Sequence, residues 1–419
     1  MPPKKTTTAK KEINPLTQGI ANLEKTFKGE FGAVDLDPNQ FKKPRPHLST
    51  GSVVIDYMIG GRPNAHGVPP CPGLPRGAIT EIWGHEGAGK TTVALTAAAK
   101  TCRNGSKSGG PGTVIYVDWE HAVDLAYAKT IGVPVDDPNR FRIVQPATLE
   151  QGLGVIWTMT KAGVDLVVID SIGAGIPEIH LKQKDDEKGD LGRVGLLAAK
   201  WSKVLPELSQ KAAETGTTIL GISQLRKKIS KGPSAGYGPD TAPQGGEAWK
   251  FYSWVRFGLR RVMYEKGKLY DPLTHTQIET AVSSLVQVKL EKCKVSSSQG
   301  REGQIRISFG EGIDDFRSVL DIAAAHKIIK KEGAWYSFQP TGVPLLRTQG
   351  LDKLRAAIKE APGAPEELYQ QVFNKLNSMS EGLSLATEEE EDEADLSDLD
   401  AILNDSKPVE VEGKEDFDE

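Results

Sequence analysis

The sequence predicts an α/β fold: a large core on a largely parallel, twisted sheet, an N-terminal helical arm and a small C-terminal α+β domain. Three observations carry this. Short runs rich in β-branched residues alternate with helix-like stretches from about residue 47 to 316. A glycine-rich phosphate-loop pattern falls between one such run and the next helix. Charge is unevenly placed, with a strongly acidic end on a basic body.

The probable strands are 78–83 (AITEIW), 113–118 (TVIYVD), 165–170 (DLVVID), 217–223 (TTILGIS) and 285–290 (LVQVKL). Helical stretches lie between several of them, at 91–100 and 196–214. Parallel strands need crossovers of this kind, usually helices. Three Gly/Pro-rich stretches, 60–77, 104–112 and 231–246, interrupt the pattern as long loops. Upstream, residues 13–30 carry Ile20, Leu23 and Phe27 at helical spacing, a short amphipathic arm that either packs on its own core or docks on a neighbour. Downstream, VLDIAAAHKIIKK and PEELYQQVFNKLNSM read as helices of the small domain. The expected boundaries are 1–46 for the basic tail and arm, 47–316 for the core, 317–386 for the small domain and 387–419 for the acidic tail.

The chain has 419 residues and a net charge of -4. Residues 388–419 hold sixteen acidic and two basic residues, a net of -14, which leaves +10 on the remainder. A basic body suggests a polyanionic partner. The acidic tail either competes for that surface or serves solubility. No apolar run approaches the roughly 18 residues that span a bilayer, and the lysine-rich N-terminus lacks the apolar segment of a secretory signal. Cys71, Cys102 and Cys293 form no CxxC pair and no zinc spacing, which fits a reducing cytoplasm.

The most specific local signal is Gly84, His85, Glu86, Gly87, Ala88, Gly89, Lys90, Thr91, matching G-x-x-x-x-G-K-[ST], with Thr92 following. Its glycines let backbone N–H groups turn inward on phosphates, and the helix N-terminus adds partial positive charge. Lys90 is expected at the β/γ-phosphates of ATP, and Thr91 on Mg²⁺. Asp170, at the tip of an apolar strand and followed by Ser171, is the expected carboxylate partner of that metal. Glu120 follows the next strand, where a carboxylate can accept a proton from attacking water. Gln224 ends a strand beside the same pocket and can report loss of the γ-phosphate.

Several stretches, in order, resemble the bacterial RecA recombinase family: LSTGSVVID (48–56), GHEGAGKTT (84–92), DWEHAVDLAYAKTIGV (118–133), VVIDS (167–171), GGEAWKFYSWVR (245–256), FGEGI (309–313) and GAWYSF (333–338). The resemblance runs from about residue 14 to 338 and implies a RecA-like P-loop ATPase core. It implies that Glu120 is the catalytic glutamate, that Tyr127 stacks on adenine with Asp124 facing its amino group, and that Gln224 links the γ-phosphate to a DNA-binding loop. It implies that Lys292 and Lys294 reach ATP on the neighbouring subunit, and that Phe251 is an interface residue. Two segments are expected at DNA: 178–193, and 226–246 with Arg226, Lys227, Lys228, Lys231, Tyr237, Gly245 and Gly246.

The implied activity is ATP-dependent, filament-forming pairing of single-stranded DNA with homologous duplex, in recombination and repair. Single-stranded and homologous double-stranded DNA, other copies of the chain, and loading or single-strand-binding proteins are the expected partners. A closed-ring DNA motor and a non-catalytic DNA coat are the rival readings. Departures at 62–75, at 102–112 and at Cys293 between the two lysines mark a divergent member, a phage genome being one source for such a chain in a bacterial cytoplasm.

Overall fold

The computed structural model describes residues 15–27, 39, 42–64, 66–181, 190–227, 241–243, 246–271 and 273–381. The arm and the body, residues 1–40 and 41–419, form separate compact units. In the arm, Pro15–Phe27 is a helix, opened by a proline whose missing N–H costs nothing in the first turn. Ile20 and Leu23 are exposed on it, and the Phe27 side chain lies outside the described residues.

In the body, six strands form the parallel heart of a ten-stranded sheet, in the order Ser253–Asp271, Ile79–Gly84, Thr218–Lys227, Leu166–Asp170, Val114–Asp118 and Phe141–Val144. Ile79–Gly84, Val114–Asp118 and Leu166–Asp170 are almost wholly buried, as strands covered on both faces must be. One face packs on helices Val53–Gly60 and Lys90–Asn104. The other packs on Leu149–Ala162 and Asp190–Thr215, with Trp201 edge-on to both Trp119 and Trp249.

Beyond the parallel strands the sheet turns antiparallel. Ser253–Asp271 pairs with Thr276–Cys293, then Glu302–Ser308 and Gly312–Ile313. The first pair is a long hairpin, of which sequence reading found only residues 285–290. Its outer half leaves Leu269, Tyr270, Leu273 and Ile278 exposed, so it lacks the one-sided alternation that marks a half-buried strand.

Two of the three long loops acquire order in their described residues. Leu74–Pro75 pairs with His47–Leu48. In the 104–112 turn, the Lys107 ammonium donates to the carbonyls of Gly163 and Thr215 at 2.7 and 2.6 Å. Those carbonyls sit at the C-terminal ends of two helices, where cations are favoured.

The C-terminal region has its own apolar cluster around Leu320, Phe338, Leu354, Leu368 and Val372. It comprises helices Asp315–Ala325, Leu351–Glu360 and Ala364–Glu381 with a three-stranded antiparallel sheet. The expected helix through KIIKK is corrected here. The helix stops at Ala325, Lys327 takes φ 60°, and Lys330–Glu332 is a strand. Ile329 is buried in the cluster from this turn rather than from a helix face. Among the described residues, no helix is long and apolar enough to cross a membrane.

Candidate functional site: a phosphate pocket at the strand tips

The carboxyl ends of the parallel strands meet at one edge of the core, where ligands bind in open α/β sheets. Gly84 lies level with Gln224, and Asp118 with Asp170. Gln224 and Asp170 line a cavity of about 370 Å³ together with Gly87, Gly89, Lys90, Thr91, Glu120, Tyr127 and Phe309.

The loop glycines are required by close approach. A Cβ on Gly84 would meet the Leu259 carbonyl oxygen at 2.4 Å, and one on Gly89 would meet Ile307 at 2.2 Å with φ at +86°. His85 and Glu86 are exposed and Ala88 is buried. Lys90 opens the helix Lys90–Asn104 and turns its ammonium back on the loop, donating to the carbonyls of Gly84 and His85 at 2.9 and 2.7 Å. Burial holds its pKa below the ordinary lysine value, with Asp170, Glu120 and Glu86 opposing that shift.

The Thr91 hydroxyl donates to Asp170 Oδ2 at 3.0 Å, and Tyr116 donates to the same oxygen at 2.7 Å. Burial pushes the Asp170 carboxyl up to about 6, against these two hydrogen bonds. A hydroxyl beside a desolvated carboxylate is a hard-oxygen donor pair, the chemistry Mg²⁺ takes. Ser171, next in the chain, is buried.

Glu120 follows the strand Val114–Asp118 and accepts a hydrogen bond from Gln224 Nε2 at 2.7 Å. Two residues 104 positions apart thus share the pocket wall. Tyr127 is half-buried there, and its hydroxyl pairs with Thr92 at 3.0 Å. Asp124 does local work: it caps helix Leu125–Ile131 by accepting from the backbone of Ala126 and Tyr127, which fixes the tyrosine at the pocket. Phe309 went unnoticed as a site residue in the sequence. It is 48 % exposed at the pocket mouth, edge-on to Tyr264, and the glycine-flanked FGEGI stretch was the available signal.

The residues expected at a neighbouring subunit or at DNA do not line this pocket. Lys292 and Lys294 lie elsewhere on the same subunit. Lys292 donates to the carbonyls of Lys250 and Phe251, and Lys294 to that of Phe251 at 3.4 Å. The Phe251 ring beside them is 69 % exposed, not a core aromatic. Arg226 and Lys227 continue the Gln224 strand and pair with Ala242 and Thr241. Gly246, at φ +82°, starts helix Glu247–Tyr252. Lys228, Lys231, Tyr237 and Gly245 lie outside the described residues, as do 182–189 of the other expected DNA segment and the acidic tail.

Comparison with known proteins adds independent support. The RecA N-terminal domain model matches residues 14–314 and the RecA C-terminal domain model matches 317–377. The chain is similar to Protein RecA of Sulfurovum sp. (strain NBC37-1), 34% identical over 377 residues, which cover 89% of this chain and 95% of that one. It is 34% identical over 365 residues to Protein RecA of Chlorobaculum tepidum, covering 87% and 93%. It is 33% identical over 377 residues to Protein RecA of Helicobacter hepaticus, covering 89% and 96%. With a phosphate loop, a strand-tip carboxylate and both domain models matched in order, the chain belongs to the RecA family.

Proposed function

We propose that this chain is an ATP-hydrolysing recombinase that polymerises on single-stranded DNA and pairs it with a homologous duplex. The observation that carries the reading is the contact of Glu120 with Gln224 above Lys90, Thr91 and Asp170. It joins a general base and a strand that leads straight into the segment expected at DNA.

In this reading ATP enters with its phosphates on the loop N–H groups, drawing Lys90 from the Gly84 and His85 carbonyls. Thr91 and Asp170 would hold Mg²⁺, which would supply charge neutralisation at the phosphates. Glu120 accepts a proton from water as the water oxygen bonds to the γ-phosphorus. The bond from that phosphorus to the bridging oxygen breaks, and ADP keeps the electron pair. Gln224 exchanges Glu120 for the γ-phosphate while the nucleotide is intact, and so conveys its state to the strand of Arg226 and Lys227. Tyr127 offers a ring face to the base.

Lys292 and Lys294 do not line the pocket of their own subunit, and in this reading, which rests on the family resemblance, they act on the ATP of a neighbour. Contact between two different surfaces extends into an open helix. Ile20 and Leu23 of the arm, and Phe251 beside the lysines, are apolar groups left exposed for such contacts.

Electron micrographs of the protein on single-stranded DNA test this reading. Extended filaments that require ATP support it. Closed rings would instead identify a translocating motor, and an irregular coat indifferent to ATP would identify a passive binding protein.

A further inference from the structure

The outer face of the antiparallel strands and the nucleotide pocket are joined by an unusual feature of the core. Four neighbouring strands, Thr218–Lys227, Ile79–Gly84, Ser253–Asp271 and Thr276–Cys293, each contribute one polar side chain to a single row. Ser223 donates to Glu81 Oε1 at 2.7 Å. Arg256 Nε donates to Glu81 Oε2 at 2.6 Å, and its Nη1 to Glu291 at 3.2 Å. Ser223, Glu81 and Arg256 are 0%, 1% and 7% exposed, so a carboxylate and a guanidinium lie inside the sheet's cover. Burying such a pair is costly and seldom adds stability over apolar residues of the same volume. It needs another reason.

The ends of the row supply one. Ser223 immediately precedes Gln224, whose amide meets Glu120. Glu291 immediately precedes Lys292, which lies level with Arg256 across the strand pair. The Lys292 ammonium is held below the usual lysine range by burial first, then by Lys294 and Arg256, with Glu81 opposing. Lys292 thus lies beside the row, level with Arg256 and one residue from Glu291.

We propose that Ser223, Glu81, Arg256 and Glu291 form a relay that positions Lys292 according to the state of Gln224, so that one subunit's nucleotide sets the lysine offered to the next subunit's nucleotide. A shift of the Gln224 strand moves Ser223, which re-aims Glu81. Arg256 follows its stronger partner and changes its hold on Glu291, and the backbone of Glu291 carries Lys292. This rests on the reading above, in which Lys292 acts across the subunit interface and Gln224 senses the phosphate. Arg256 and Glu291 are then positioning residues, acting through Lys292 and not on ATP.

The ends of the row are the places to test it, because removing Glu81 or Arg256 strands a buried charge. The readout is the ATP concentration giving half-maximal filament formation on fluorescently labelled single-stranded DNA, for the full chain, Ser223→Ala, Glu291→Ala and the double variant. Nucleotide binding by isolated subunits without DNA is followed with a fluorescent ATP analogue.

Each single variant should raise the half-maximal concentration severalfold. The double variant should be no worse than the worse single, a departure of about threefold or more from the product of the two, since Glu81 and Arg256 link Ser223 to Glu291. Binding by isolated subunits should be unchanged in Glu291→Ala, which a merely structural role does not predict. Glu291→Gln, which keeps an acceptor for Arg256, should recover part of the loss. Effects that simply multiply would overturn the relay while leaving the Lys292 assignment standing. An unshifted Lys292→Ala variant would overturn that assignment, and the relay with it.

Discussion

If Glu120 is the general base proposed above, replacing it by Gln separates binding from chemistry at this site. Glu120 is exposed at the pocket wall and its Oε1 accepts the Gln224 amide at 2.7 Å. A glutamine keeps an acceptor oxygen there, so the wall should retain its geometry, and an exposed substitution of this kind changes stability by no more than about 0.5 kcal/mol. The proton-accepting oxygen is lost, because an amide does not take a proton from water. General-base catalysis contributes roughly 10²–10⁴-fold, or about 3–5 kcal/mol of barrier. Phosphate release on single-stranded DNA should fall by that factor, while ATP-dependent filaments still form and persist longer. The reasoning is refuted if the variant hydrolyses ATP within about tenfold of the parent at equal filament mass, since general-base loss costs more than that.

Three further perturbations probe other parts of the molecule. Burial pushes the Asp315 carboxyl up to about 6, against hydrogen bonds from the Val53 N–H and the Tyr369 hydroxyl. A raised carboxylate pKa disfavours the fold above that value, and the penalty vanishes as pH falls from about 6 toward the unfolded value of 3.8. Stability of the parent relative to Asp315→Asn should therefore improve on acidification from pH 7.5 to pH 4, by up to about 3 kcal/mol. Denaturant melts at both pH values check this, and a constant difference would contradict it.

Truncation after Thr387 removes a net charge of -14 and should speed binding to duplex DNA and flatten its salt dependence, as stopped-flow fluorescence can follow. Unchanged rates would leave the tail as a solubility device. Deleting residues 1–30 removes Ile20 and Leu23 and should abolish filaments while sparing nucleotide binding by the body, a separate compact unit. Filaments of normal length after deletion would exclude the arm as the docking element.

How much of this was legible in the sequence follows the range of the interactions involved. The phosphate loop was readable because its glycines, lysine and threonine sit within eight consecutive residues and answer to local backbone geometry. Asp170 and Glu120 were readable as strand-tip carboxylates, since buried parallel strands announce themselves as apolar runs. Gln224 was readable beside the same pocket, but its contact with Glu120 was not: the two lie 104 residues apart, and no local pattern encodes that pairing.

The Glu81–Arg256–Glu291 row was hidden for a further reason. A charged residue in a strand reads as a solvent-facing position until the neighbouring strand supplies its counter-ion. The hairpin's outer half escaped because both of its faces carry a mixture of polar and apolar groups. Asp124 has a local role that the resemblance did not name: its position before helix Leu125–Ile131 already marks a cap.

Strand invasion tests the central claim most directly. Labelled single-stranded DNA, a supercoiled homologous plasmid, Mg²⁺ and ATP are combined with the full chain, and joint molecules are resolved on a gel. The account predicts joint molecules that require both homology and nucleotide, and that are lost when Lys90 is replaced by Ala. Filaments and DNA-stimulated hydrolysis without any joint molecule, even with a single-strand-binding protein supplied, would contradict it.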